Sequence, residues 1–160
     1  MTRRVKPALP AIAVIDPALI LQALLSSSGE PRGLRRAWEQ GLLRPLVSPD
    51  VAATLMRALA FPKLSLTAAQ QQELLADFLP YAEVVKPSRR ARIAALSEHA
   101  QALVDLALHG GASLLLCDET VLLDWSANSR SQVARQLCTV RAMSAWFQVL
   151  PPSQRDTLLC

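Results

Sequence analysis

The chain has 160 residues, 51% of them hydrophobic, with 17 Lys and Arg against 13 Asp and Glu and a formal charge of +4. This length allows one ordinary domain with a buried core and not two full-sized ones, and the hydrophobic content excludes a disordered chain. Aromatics make up only 4%, so Leu, Ala, Val and Ile must build the core, and the mild basic excess suits a polyanionic partner or an ordinary solvated surface equally well.

At the N-terminus, Arg3, Arg4 and Lys6 precede an apolar run, as in an export signal, but Pro7, Pro10, Asp16 and Pro17 interrupt it. Asp16 would be costly in a signal's apolar segment. No uninterrupted stretch of roughly 18 apolar residues occurs, so no membrane span is expected. Residues 1–10 read as a tail. The first strand is Ala11-Ile12-Ala13-Val14-Ile15, rich in β-branched residues and ending at Asp16. A helix from Leu19 to Leu25 follows, with Pro17 suited to its first turn. Ser26 to Gly29 breaks it, and Gly33 to Gln40 reads as another short helix. Leu42 to Ser48 is the second strand candidate. Ser48-Pro49 then gives an N-cap followed by Pro at the first helical position, opening a helix to about Ala60.

Thr67-Ala68-Ala69-Gln70 has the pattern of a capping box and starts a helix to about Leu79. Ala82 to Val85 is the third strand, and Pro87 to Arg92 a basic loop. Ser97 caps a helix through about Leu108, which Gly110-Gly111 ends. Ser113 to Cys117 is the fourth strand, terminated by Asp118 and Glu119. Val133, Leu137 and Val140 sit at helical spacing within Ser131 to Trp146. That apolar face would serve core packing or the docking of a partner helix. Phe147 to Leu150 reads as the fifth strand. Five strands alternating with helices predict an α/β fold, a three-layer α/β/α sandwich around a central parallel five-stranded sheet. The whole chain, 1–160, reads as a single domain.

Several chemistries are excluded. The five glycines, at 29, 33, 41, 110 and 111, assemble neither a dinucleotide-binding G-x-G-x-x-G turn nor a P-loop. There is no G-x-S-x-G elbow. The three cysteines, Cys117, Cys138 and Cys160, are widely spaced with no C-x-x-C pair, which argues against a disulfide framework or a zinc site and for a reducing, cytoplasmic setting. His99 and His109 lie ten apart, unlike two metal ligands on one helical face, and read as surface or packing residues.

Three stretches in order carry a family resemblance. Residues 13 to 25, Ala-Val-Ile-Asp-Pro-Ala-Leu-Ile-Leu-Gln-Ala-Leu-Leu, are similar to the strand, aspartate and helix that open a PIN domain. Leu46-Val47-Ser48-Pro49, a helix and then Ala60-Phe61-Pro62-Lys63 resemble that family's second strand, Ser-Pro turn and Arg-Pro-Lys segment. Leu106 to Asp118 resembles its Leu-Ala-Leu-Ala-Gly-Gly-Ala-Asp-Tyr-Leu-Val-Thr-Gly-Asp stretch. The resemblance covers roughly residues 11 to 124 and is nearest to the toxin components of toxin–antitoxin systems; residues 126–145 exceed the expected length and read as a helical insertion.

The resemblance implies a metal-dependent ribonuclease whose carboxylates gather at the carboxyl edge of the sheet and hold Mg²⁺ or Mn²⁺. Asp16 matches the first acid, and its simpler reading is an N-cap. The second acid should fall near residues 53 or 54, where Ala53 and Thr54 stand; Asp50, one turn earlier, is more simply a helix-start acid. The third should fall near 99 or 100, where His99 and Ala100 stand, with Glu98 adjacent as a substitute or a first-turn acid. Asp118 or Glu119 could be the fourth. Thr-Asn or Thr-Ser, which usually follows the first aspartate, is replaced by Pro17-Ala18, and the strand-four threonine by Cys117.

Asp16, Asp118, Glu119 and Glu98 are therefore the candidate catalytic residues, with Asp16 and Asp118 as metal ligands sharing one cation across neighbouring strands. The residues that are missing imply weak or lost nuclease activity and a role in binding RNA or a protein. An active nuclease with a reduced carboxylate site is the alternative. Arg32, Arg35, Arg36, Arg89, Arg90 and Arg92 are candidate phosphate contacts. An antitoxin-like protein is a further partner the resemblance allows, and the apolar face around Val133, Leu137 and Val140 allows a homo-oligomer.

Overall fold

The computed structural model describes residues 10–88 and 92–160. The first strand, β1 (Ala11–Ile15), sends Ala13 and Ile15 into one hydrophobic cluster and Val14 into another. A strand buried on both faces needs a layer of cover on each side. It lies at the centre of a parallel sheet with β2 (Leu43–Val47), β3 (Glu83–Val84), β4 (Leu114–Leu116) and β5 (Thr139–Arg141), in the order β3-β2-β1-β4-β5. The result is a three-layer α/β/α sandwich with a central five-stranded sheet.

One layer holds α1 (Pro17–Leu25), α2 (Gly29–Glu39), α8 (Met143–Val149) and α9 (Pro152–Leu159). Leu19, Ile20, Leu34, Trp38, Phe147 and Leu158 are buried there together. The other layer rests on α5 (Glu98–Gly110), which buries Leu103, Val104, Leu106 and Ala107, and on Leu122 of α6 (Thr120–Asn128). Between β2 and β3 run α3 (Pro49–Leu59) and α4 (Ala68–Ala76); α3 gives Val51 to one cluster and Leu55 and Leu59 to the other. A short α7 (Gln132–Gln136) precedes β5.

The helix starts expected from the sequence form. Ser48 Oγ accepts from Val51 N at 3.1 Å, Ser97 Oγ accepts from Ala100 N at 3.1 Å, and Thr67 and Gln70 form the reciprocal capping box. Gly111 ends α5 at φ 65°, a left-handed cap that Gly adopts without strain.

The last third departs from the sequence reading. Phe147 to Leu150 is not the fifth strand: it lies mostly in α8, because Met143, Trp146 and Phe147 recur at i, i+3 and i+4 and bury one helical side. A four-residue apolar run carries no period long enough to separate the two cases. Residues 126–145 contain the end of α6, then α7, β5 and the start of α8, so this stretch supplies the fifth strand. Val133, Leu137 and Val140 do not share one helix, yet all three pack partly buried against the α5 side of the core. Among the described residues no helix is long and apolar enough to cross a membrane.

Gly110 shows how closely α5 sits on the sheet. A Cβ there would lie 2.4 Å from Cδ1 of Leu46, itself buried in the core. Gly110→Ala is expected to destabilise the protein by about 1–3 kcal/mol from overpacking, despite the helix-propensity gain. Urea unfolding of the two proteins checks this.

Candidate functional site

Strand order reverses between β1 and β4: the chain leaves β3 at one edge and returns beside β1 on the other side. In an open parallel sheet, the crevice beyond the carboxyl ends at such a point is where ligands bind. Asp16 follows β1 here and Asp118 and Glu119 follow β4. Asp16 N donates to Leu116 O at 2.9 Å, which fixes the two strand ends side by side.

Asp16 is only 5% exposed. Its Oδ1 accepts from Ala18 N at 3.0 Å, so it is the N-cap of α1. The same oxygen accepts from His99 Nε2 at 3.1 Å. The ring comes from the first turn of α5, in the place where the resemblance puts the third acid. His99 is half-buried, and its pKa is raised above the ordinary histidine value. The hydrogen bond to Asp16 is the main cause, burial opposes it, and the charges of Asp16 and Glu119 add to it. Asp16 Oδ2 and His99 Nδ1 have no partner among the described residues. Among the described residues no buried side-chain nitrogen or oxygen lacks a partner, so neither atom is an orphaned buried group there.

The other acids go different ways. Asp118 is exposed and turns toward α8, where its Oδ1 accepts from Met143 N at 3.1 Å. Glu119 sits at the start of α6 with no cap hydrogen bond, close enough for its charge to act on His99 and Cys117. Glu98 is an exposed first-turn acid of α5. Among the described residues, no three His, Cys, Asp or Glu side chains come together as a group able to hold a metal ion. Cys117, in the threonine's place, is buried, and desolvation pushes its thiol up to about 12. That leaves it inert as a nucleophile.

Glu98 and His99 face α3 across a cleft of about 350 Å³ that also includes Asp50, Thr54 and Arg57. Thr54, standing where the second acid would fall, accepts at Oγ1 from Arg57 Nη2 at 3.3 Å. The sequence by itself does not point to Arg57, places Thr54 only where an acid is missing, and reads His99 as a surface or packing residue. Its only signal was the position of His99 in the acid pattern. Of the candidate arginines, Arg35 is held by Glu39 at 2.7 Å and Asp77 at 2.8 Å, and Arg36 by the carbonyls of Leu158 and Cys160. Arg92 is exposed beside a neighbouring cleft, while Arg89 and Arg90 lie outside the described residues.

Fold and site together define a parallel α/β/α domain whose central carboxylate is paired with a histidine. No family model matches the chain, and no curated protein matches it either.

The pair makes stability depend on pH. A histidine whose folded-state pKa lies above its unfolded value of about 6.5 binds its proton more tightly when folded. The extra stability is fully present below that value and is lost as pH rises through the raised folded value. Wild type should therefore exceed His99→Gln in urea stability by more at pH 5.5 than at pH 9. Equal differences at both pH values would show that the ion pair contributes nothing.

Proposed function

We propose that this is a PIN-like domain, related to the ribonucleases of toxin–antitoxin systems, in which metal-dependent cleavage is weak or lost and RNA binding remains. The observation that carries this reading is the 3.1 Å contact between His99 Nε2 and Asp16 Oδ1. A divalent cation of this kind draws on several oxygen ligands from clustered carboxylates. Here an imidazole stands at the third position and a threonine at the second, and the Oδ1 of Asp118 is engaged by α8. A donor set so reduced does not fit Mg²⁺ or Mn²⁺. The ring instead puts its own donor, and positive charge when protonated, against the first acid.

The charge balance supports a polyanionic partner. The chain carries a formal +4, and Arg57 and Arg92 form no ion pair among the described residues. Such cations contact phosphates without reading sequence.

Calorimetry with Mn²⁺ tests the metal half of the reading. Wild type is expected to give no binding heat, and His99→Asp, which returns a carboxylate beside Asp16, is expected to gain binding. Short RNA should bind in EDTA, with affinity falling steeply as salt rises. Wild-type Mn²⁺ binding that vanishes in Asp16→Ala, accompanied by metal-dependent RNA cleavage, would instead establish an active nuclease with a reduced carboxylate site.

A further inference from the structure

Two of the three phenylalanines, Phe78 and Phe147, are buried, and each meets a tryptophan ring edge-on. Phe61 differs: it is 54% exposed just past α3 and pairs with no ring among the described residues. One exposed apolar side chain is ordinary on a protein surface, but this one has a particular setting. Its backbone is fixed on both sides. Phe61 N donates to Ala58 O at 3.2 Å, and Phe61 O accepts from Leu64 N at 3.0 Å as Pro62–Leu64 makes a 3-10 turn. A ring on so stiff a support can be covered at little cost in ordering.

The charge around it is one-sided. From Val51 to Gln72 the chain carries two cations, Arg57 and Lys63, and no acid. Both are exposed, and neither forms an ion pair among the described residues. Arg57 lies about one helical turn before Phe61, and Lys63 two residues after it. Ala60 and Pro62, the ring's neighbours in the chain, are exposed as well. Asp50, the acid in the first turn of α3, lies roughly 16 Å back along the helix from Phe61. Glu98 lines a cleft with Asp50 and Arg57, so a polyanion at Arg57 is steered away from that end and toward Lys63.

An exposed aromatic face between two unpaired cations matches single-stranded nucleic acid, whose bases stack on rings while its phosphates meet the charges. An apolar protein surface would instead desolvate both cations and offer no counter-charge. We propose that the end of α3 is a stacking platform for single-stranded RNA, with one unpaired base on Phe61 and phosphates at Arg57 and Lys63. The inference rests on the RNA-binding reading above and locates the contact surface on α3 rather than on the acids of the strand ends.

The test follows a short, unstructured, fluorescently labelled oligoribonucleotide by anisotropy, with the full chain in EDTA. Phe61→Ala and Phe61→Leu should each weaken binding at least about fivefold with an unchanged salt dependence, since a stacked base is lost and no charge. Leu keeps apolar bulk without a π-face, so a loss shared by both variants identifies stacking. Phe61→Trp should bind at least as tightly as wild type. Lys63→Gln should weaken binding and reduce the salt slope by about one. Phe61 and Lys63 are exposed, so these variants keep the fold. RNA bound equally by wild type, Phe61→Ala and Lys63→Gln overturns the proposal and leaves the binding reading standing. Phe61→Ala that abolishes self-association in sedimentation while RNA binding is unchanged marks the face as a protein interface and also overturns it. RNA left unbound by wild type overturns both.

Discussion

A carboxylate at the end of the central strand has to be satisfied, and much of the molecule is arranged around that need. Asp16 is nearly buried, and a charge taken out of water needs hydrogen bonds or a partner of opposite sign. Its side chain meets the amide of Ala18 and the ring of His99. Its backbone N–H reaches Leu116 O, and its carbonyl accepts from Leu19 N and Ile20 N as α1 begins. One residue thereby joins β1, β4, α1 and α5. These are the central strand, its neighbour β4 and one helix from each covering layer.

The same constraint explains why the acids that end the two strands do not form one cluster. Asp16 faces α5, while Asp118 satisfies the free N–H at the start of α8. The start of α8 is short of caps, since its N-cap residue is Ala142, which has no side-chain oxygen to offer. A carboxylate from the neighbouring strand end fills that need. Glu119 stays near the Asp16 and His99 pair, and its charge adds to the imidazole's preference for the protonated form. The crevice is thus one of mixed charge, with a carboxylate and an imidazole from α5 opposite a guanidinium from α3.

Most of the fold could be read along the chain, because its signals are local. The caps at Ser48, Thr67 and Ser97 each involve residues three apart, and the Pro-first helices and the glycine stop after α5 are local as well. The first and fourth strands are short β-branched or leucine runs bounded by turn residues. The signal failed where the elements became too short to show a period. In residues 126–150, α7, β5 and α8 are five, three and seven residues long. There, burial against the rest of the molecule decides between helix and strand, and burial is not written in a four-residue run.

For the site, the sequence by itself determined which side chains are available: an aspartate after the first strand, acids after the fourth, and a histidine where an acid is expected. The alternating pattern pointed to a parallel sheet, and the family resemblance implied that its first and fourth strands would be neighbours, as they are. Only the tertiary structure decided which of those groups meet. Asp16 and His99 are 83 residues apart, and their contact exists because α5 crosses the sheet with its first turn over the end of β1. Asp118 was drawn off by a helix start that sequence reasoning had taken for part of a longer helix. Hydrogen-bond partners at this edge are set by where distant backbone ends arrive. A chain read residue by residue fixes its local turns but not those arrivals.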